Sequence, residues 1–204
     1  MHSGVYMAGE RSLSHSNLSR RAFALGAAKL GLAGIASAVA QPAWASVPAL
    51  LTGAGDFRSI YLVNGRTEES LRTIYWIEGS YIPEAMQAID HLMRDWREDL
   101  VRPIAPRTIN ILSAVQNLLE VNEPLHVVSG YRSPKTNAML RRHTRGVARK
   151  SYHVRAMAAD IQLATRSVKQ IQRAGKALRA GGVGIYSRSA FVHFDSGPVR
   201  DWGR

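Results

Sequence analysis

Apolar and polar positions recur with two different periods along the chain, and the changes of period mark out its elements. Residues 57–64 (FRSIYLVN) and 71–79 (LRTIYWIEG) are rich in β-branched and aromatic side chains and flank the turn-prone NGRTEES, which predicts a hairpin. From Pro83 the period lengthens. Ala85, Ile89, Leu92, Met93 and Trp96 recur at helical spacing through PEAMQAIDHLMRDWRED, with the proline at a first helical position. A second helix is expected over 108–119. LHVVSGYR, beginning at Leu125, reads as a short buried strand ending at Gly130, and SPKTNAMLRRH then opens a helix with Ser133 as its cap and Pro134 just inside. Residues 144–155 read as a basic loop, 157–163 as a strand and 168–179 as an amphipathic helix capped by Ser167. GGVGIY and FVHFD close the pattern as two strands around the turn SRSA. The sum is an α+β domain, an antiparallel sheet with flanking helices. With no repeat and no internal linker after residue 56, a chain of 204 residues predicts one such domain over 57–204, preceded by a short segment at 46–56.

The first 45 residues have a different character. SRRAFALG (19–26) is a twin-arginine signature, followed by an apolar run rich in Ala and Gly to Ala40 and by PAWA (42–45), which resembles a cleavage site. The run is short, interrupted by Lys29 and built from small residues, so a permanent membrane span is disfavoured. The expectation is a signal peptide over 1–45 that directs the folded protein by the twin-arginine route to the periplasm or cell envelope.

Charge and cysteine content narrow the chemistry. Removing such a leader takes away four cations and one anion and lowers the formal net charge of +12 by only three, so the basicity belongs to the domain itself. In an envelope the matching anions are peptidoglycan carboxylates or lipid head groups, and a specific nucleic-acid partner is not expected. The chain has no cysteine. No disulfide holds the fold, and any metal must be bound by His, Asp or Glu.

The candidate chemistry lies in KSYHVRAMAAD (150–160) and FVHFDSGP (191–198). Seven residues separate His153 from Asp160. On a helix they would lie about 10 Å apart along the axis, and on one strand they would point to opposite faces. His153 must therefore fold back from the loop over the strand that carries Asp160. Strand parity also sends Phe191, His193 and Asp195 to one face and Val192 and Phe194 to the other. Two imidazoles and one carboxylate with an open fourth position form the ligand set of a catalytic zinc ion, which lowers the pKa of bound water and polarises carbonyls. On spacing alone, a surface His-x-Asp ion pair remains an alternative. His91 and His126 fall at structural positions. Arg141, Arg142, His143 and Arg145 form a basic patch able to bind carboxylates or simply to face solvent, and Tyr131, Tyr152 and Trp202 are candidates for a cleft wall.

SGYRS (129–133), TN (136–137), RGVARKSYH (145–153), Ala158, Asp160 and RAGGVGIYSRSAFVHFDSGP (179–198) together resemble the murein endopeptidase K family. That family lies within the zinc D-alanyl-D-alanine peptidases, which share a fold with lysostaphin and hedgehog domains. The resemblance covers roughly Phe57 to the carboxyl terminus. It implies one zinc ion held by His153, Asp160 and His193, and hydrolysis of peptide cross-links in peptidoglycan. It also implies an oxyanion-steadying role for Arg132 and a loop-shaping role for Ser151, which with Tyr131 and Tyr152 makes up the expected substrate contacts. The sequence departs from the pattern in three places. Ala156 stands where relatives usually carry Gly, and Asp201 differs near the end. Ala190 and Phe191 occupy the two positions at which other branches keep a general base. Asp195 is the remaining candidate for that base, or else a residue that orients a ligand histidine. A noncatalytic peptidoglycan-binding module and a D-Ala-D-Ala carboxypeptidase are the rival readings.

Overall fold

A computed structural model describes residues 56–144 and 146–203; the expected leader, the segment that follows it to residue 55, and Arg145 lie outside the described residues. The predicted hairpin forms as β1 (Phe57–Asn64) and β2 (Glu69–Ile77), extended by a two-residue strand β3 (Ser80–Tyr81). Two helices follow, α1 (Pro83–Leu92) and α2 (Pro106–Leu118), each with proline in its first turn where no backbone N–H is needed. Then come β4 (Leu125–Ser129), α3 (Pro134–His143), β5 (Ala158–Gln162), α4 (Val168–Leu178), β6 (Gly182–Tyr186), β7 (Phe191–Asp195) and β8 (Arg200–Trp202). Ser133 caps α3 through Thr136 N, and Ser167 with Gln170 forms a reciprocal capping box on α4. Among the described residues no helix is long and apolar enough to cross a membrane.

The eight strands form one sheet in the order β3-β2-β1-β4-β5-β7-β6-β8. The sheet is mixed, which corrects the antiparallel expectation: β1 pairs with β4 and β6 with β8 in parallel. The first parallel pair arises because β2, α1 and α2 intervene and return the chain beside β1 in the same direction, as a crossover requires. The second arises because residues 196–199 carry the chain past the start of β6, so that β8 adds on its far side. Helix α1 is also shorter than the apolar period suggests. It stops at Leu92, and residues 95–100 form a tight turn in which Asp95 N and Leu100 N bond across to Leu100 O and Asp95 O.

Strand alternation divides the sheet chemically. Ala159, Ile161, Val192 and Phe194 enter the core with Ile109, Leu112, Ile171 and Leu178 of the helices. Burying each large side chain contributes roughly 1.5–3 kcal/mol. Gly175 of α4 lets the Phe194 ring approach closely, since a Cβ there would lie 3.0 Å from Cζ. The opposite face of the same strands carries Asp160, His193 and Asp195.

Candidate metal centre

Sheet register brings the two chemical segments together row by row. β5 and β7 run antiparallel with Asp160 opposite His193 and Ala158 opposite Asp195. β6 extends these rows with Gly184 beside His193 and Gly182 beside Asp195. Opposed residues share a face, so carboxylate and imidazole rise side by side. His153 arrives from a turn of 3-10 helix, Tyr152–Arg155, whose preceding Ser151 accepts a hydrogen bond from His153 N at 3.3 Å. Ala156 closes that turn in the left-handed region at φ 54°, a conformation that glycine adopts without strain.

His153, Asp160 and His193 each offer one ligand atom, and these atoms lie within 4.8 Å of one another. His153 Nδ1 donates to Gly130 O at 2.7 Å, and His193 Nε2 donates to Asp195 Oδ2 at 3.0 Å. In the neutral state each ring thus carries its proton on the outward nitrogen, leaving a lone pair on the inward one. His153 Nε2 is 3.1 Å from His193 Nδ1 and 3.1 Å from Asp160 Oδ1, and His193 Nδ1 is 2.8 Å from that oxygen. In that neutral state three acceptors converge, an arrangement that a bound cation would satisfy. Ligand bonds of 2.0–2.1 Å in tetrahedral array imply edges of about 3.3 Å, only slightly longer than those observed. Donor chemistry and spacing both fit zinc.

The electrostatics differ among the three groups. Burial opposes ionisation of Asp160, yet His153, His193 and Arg132 hold its carboxyl well below the usual range. Burial depresses the pKa of His153 despite the attraction of Asp160, and so favours the neutral ligand form. At His193 burial acts in the same direction, but hydrogen bonds to Asp160 and Asp195 overcome it and raise the pKa. Arg132 bonds to Asp160 Oδ2 and, through Nε, to Ser129 Oγ at 2.7 Å.

Asp195 stands behind His193 rather than in the cleft. It is 0% exposed, and its oxygens accept from His193, from Gly197 N at 2.9 Å and from both terminal nitrogens of Arg200 at 3.0 and 2.6 Å. Burial pushes its pKa up, but these donors, His193 and Arg200 foremost, drive it far below the ordinary carboxylate value. Arg200 was not singled out in the sequence, although GVG at 182–184 contains its signal. A Cβ on Gly182 would lie 2.8 Å from Arg200 Cζ, and one on Gly184 would lie 2.7 Å from Trp202 Nε1. Alternate glycines on β6 thus open the space in which Arg200 reaches Asp195 and Trp202 reaches the His193 ring, 5.3 Å away between centroids.

A cleft of about 410 Å³ lies over the triad, lined among others by Arg132, Ser151, Tyr152, Phe191, Arg200 and Trp202. Among the described residues Asp160 is the only acidic one that lines it. Tyr131 does not join them; its side chain is buried in the core. Arg141, Arg142 and His143 are exposed on α3 and do not line the cleft either, while Arg97 and Lys150, which the sequence reading passed over, do. Asp95 was also missed. It is buried and accepts from Ser133 N at 2.8 Å, which ties the turn after α1 to the SGYRS segment.

Comparison with known proteins adds an independent line. The family model described as "Peptidoglycan L,D-endopeptidase MepK" matches residues 52–202. The chain is 37% identical over 187 residues to the Escherichia coli K12 protein of that name, covering 90% of this chain and 96% of the relative. A Haemophilus influenzae protein named "Probable peptidoglycan L,D-endopeptidase MepK" is 35% identical over 184 residues, covering 90% and 94%.

Proposed function

The chain belongs to the MepK family of peptidoglycan L,D-endopeptidases, and from that premise we propose that it is an exported, zinc-dependent hydrolase of peptide cross-links in peptidoglycan. One observation carries the metal part of this reading: three inward-facing acceptors, 2.8 to 3.1 Å apart, share no proton in their neutral state. His153, Asp160 and His193 would hold one zinc ion. When bound there, the ion supplies Lewis acidity, polarising a carbonyl oxygen and lowering the pKa of water.

The protein's own groups do the rest. Gly130 O and Asp195 fix the two imidazoles in the tautomers that present lone pairs to the ion. Arg132 commits Nε to Ser129 and one terminal nitrogen to Asp160, and a guanidinium has five N–H donors. The remaining donors are available to a scissile carbonyl oxygen as negative charge develops on it. Ser151 holds the turn that delivers His153, and Tyr152 with Trp202 walls the cleft. Asp195 acts as a positioning residue, because its enclosure keeps it from substrate.

Digestion of defined cross-linked muropeptides, with the products identified by mass, tests the activity. Cleavage of L,D bonds that disappears in His153→Ala supports it, and intact cross-links with the fully metallated protein would overturn it. Export is tested by fractionating cells that carry Arg20→Lys with Arg21→Lys; retention in the cytoplasm is expected. Among the described residues no acid but Asp160 lines the cleft, which favours a second reading, a peptidoglycan-binding module. Such a module would sediment with sacculi and leave every cross-link uncut.

A further inference from the structure

The charges lining the cleft do not balance. Among the described residues four cations line it, Arg97, Arg132, Lys150 and Arg200, against the single carboxylate of Asp160. Arg132 is satisfied by Asp160, and Arg200 by Asp195. Arg97 and Lys150 remain. The Arg97 guanidinium rests on the Trp96 ring at 4.2 Å from its centroid. Among the described residues neither side chain has a hydrogen bond or an ion pair with a carboxylate, and both are exposed. Desolvation lowers the Arg97 pKa, and the positive charges of Arg132 and Arg66 add to that effect against the attraction of Asp95. Two exposed cations without a carboxylate partner on the wall of a cleft favour the entry of an anion.

Resting on the proposed hydrolase function, we propose that Arg97 and Lys150 form a carboxylate subsite that selects cross-linked peptides carrying a free carboxylate beside the scissile bond. Arg97 offers a planar fork to a carboxylate, and Lys150 a point charge on the loop after α3. The subsite distinguishes a free acid from its amide. A cleft walled only by apolar and neutral groups would treat the two nearly alike.

The test uses two synthetic cross-linked peptides that differ only in having that carboxylate free or amidated, and the zinc-loaded protein as wild type, Arg97→Gln, Arg97→Lys and Lys150→Gln. The readout is the ratio of kcat/KM between acid and amide. Charge-assisted hydrogen bonds predict a wild-type preference for the acid of at least about tenfold. This ratio should collapse toward one in Arg97→Gln, fall in Lys150→Gln and recover in part in Arg97→Lys, with the change carried by KM. Wild type that cuts acid and amide equally, or a ratio that survives both glutamine substitutions, would overturn the subsite. If wild type cuts neither peptide, the hydrolase reading fails separately. Calorimetric binding of the same pair then decides the subsite, which stands if the acid binds more tightly to wild type than to Arg97→Gln and falls if it does not.

Discussion

Replacing Asp195 by Asn alters one atom in a position where every lone pair is used. Oδ2 serves His193 and Arg200, and Oδ1 serves Gly197 N and Arg200. An amide has only one acceptor oxygen, so its NH2 group must face two donors in either orientation. Each lost charge-assisted bond is worth roughly 1.5–3 kcal/mol. The Arg200 side chain is 38% exposed and can turn to water, which offsets part of the loss. A net destabilisation of about 2–3 kcal/mol is expected in the metal-free protein. The same change loosens or flips the His193 ring, and losing such an orienting partner typically costs 10–100-fold in metal affinity. Thermal denaturation without metal and competition against a calibrated zinc chelator measure the two effects separately. If Asp195 were instead the general base, kcat would fall while zinc affinity stayed at the wild-type level, and that pattern would refute the positioning role.

The other predictions concern packing, strain and pH. Gly184→Ala places a methyl group against the Trp202 indole and should cost about 1–3 kcal/mol, read from chemical denaturation, with Trp202 fluorescence changed; unchanged stability would contradict the close approach. Ala190 is exposed in the turn before β7 at φ 54°, so Ala190→Gly should raise stability by about 1 kcal/mol, and a fall in the melting temperature would count against that strain. Asp90 is 9% exposed, and burial lifts its pKa to about 6 against the hydrogen bond from Ile104 N. A folded pKa above the unfolded value means that the folded state binds more protons. This contribution, up to about 3 kcal/mol, is therefore complete below about pH 4 and is lost as the pH rises through 6. Denaturation from pH 4 to 7 should show that slope in wild type and not in Asp90→Asn, and identical slopes would remove the assignment.

Local physics made much of this fold readable. Runs of β-branched and aromatic residues around a turn located β1 and β2, the serine caps located α3 and α4, and the parity of FVHFD put His193 and Asp195 on one face with Phe191. The His153 turn was deducible because both regular conformations fail for a seven-residue separation. Other features depend on tertiary partners that leave no local trace. Parallel pairing of β1 with β4 is decided by where two helices pack, and β3 and β8, of two and three residues, are too short to show a period. The end of α1 is set by Asp95 bonding to Ser133, 38 residues away. The basic run on α3 drew attention to the wrong cations, because charge along a helix does not reveal which face meets a cleft. Arg97 and Lys150 meet it from separate elements, at positions where only the fold brings them together.

Stoichiometric metal add-back tests the central claim most directly. After exhaustive chelation and removal of the chelator, zinc is titrated into the protein while cleavage of cross-links in purified sacculi is followed, read as release of new free amino groups. The account predicts no release without metal, a rise that saturates at one equivalent of zinc per chain, and no response in Asp160→Ala at the same equivalents. Undiminished release from the chelated protein, or saturation only after two or more ions, would contradict a single cation held by His153, Asp160 and His193.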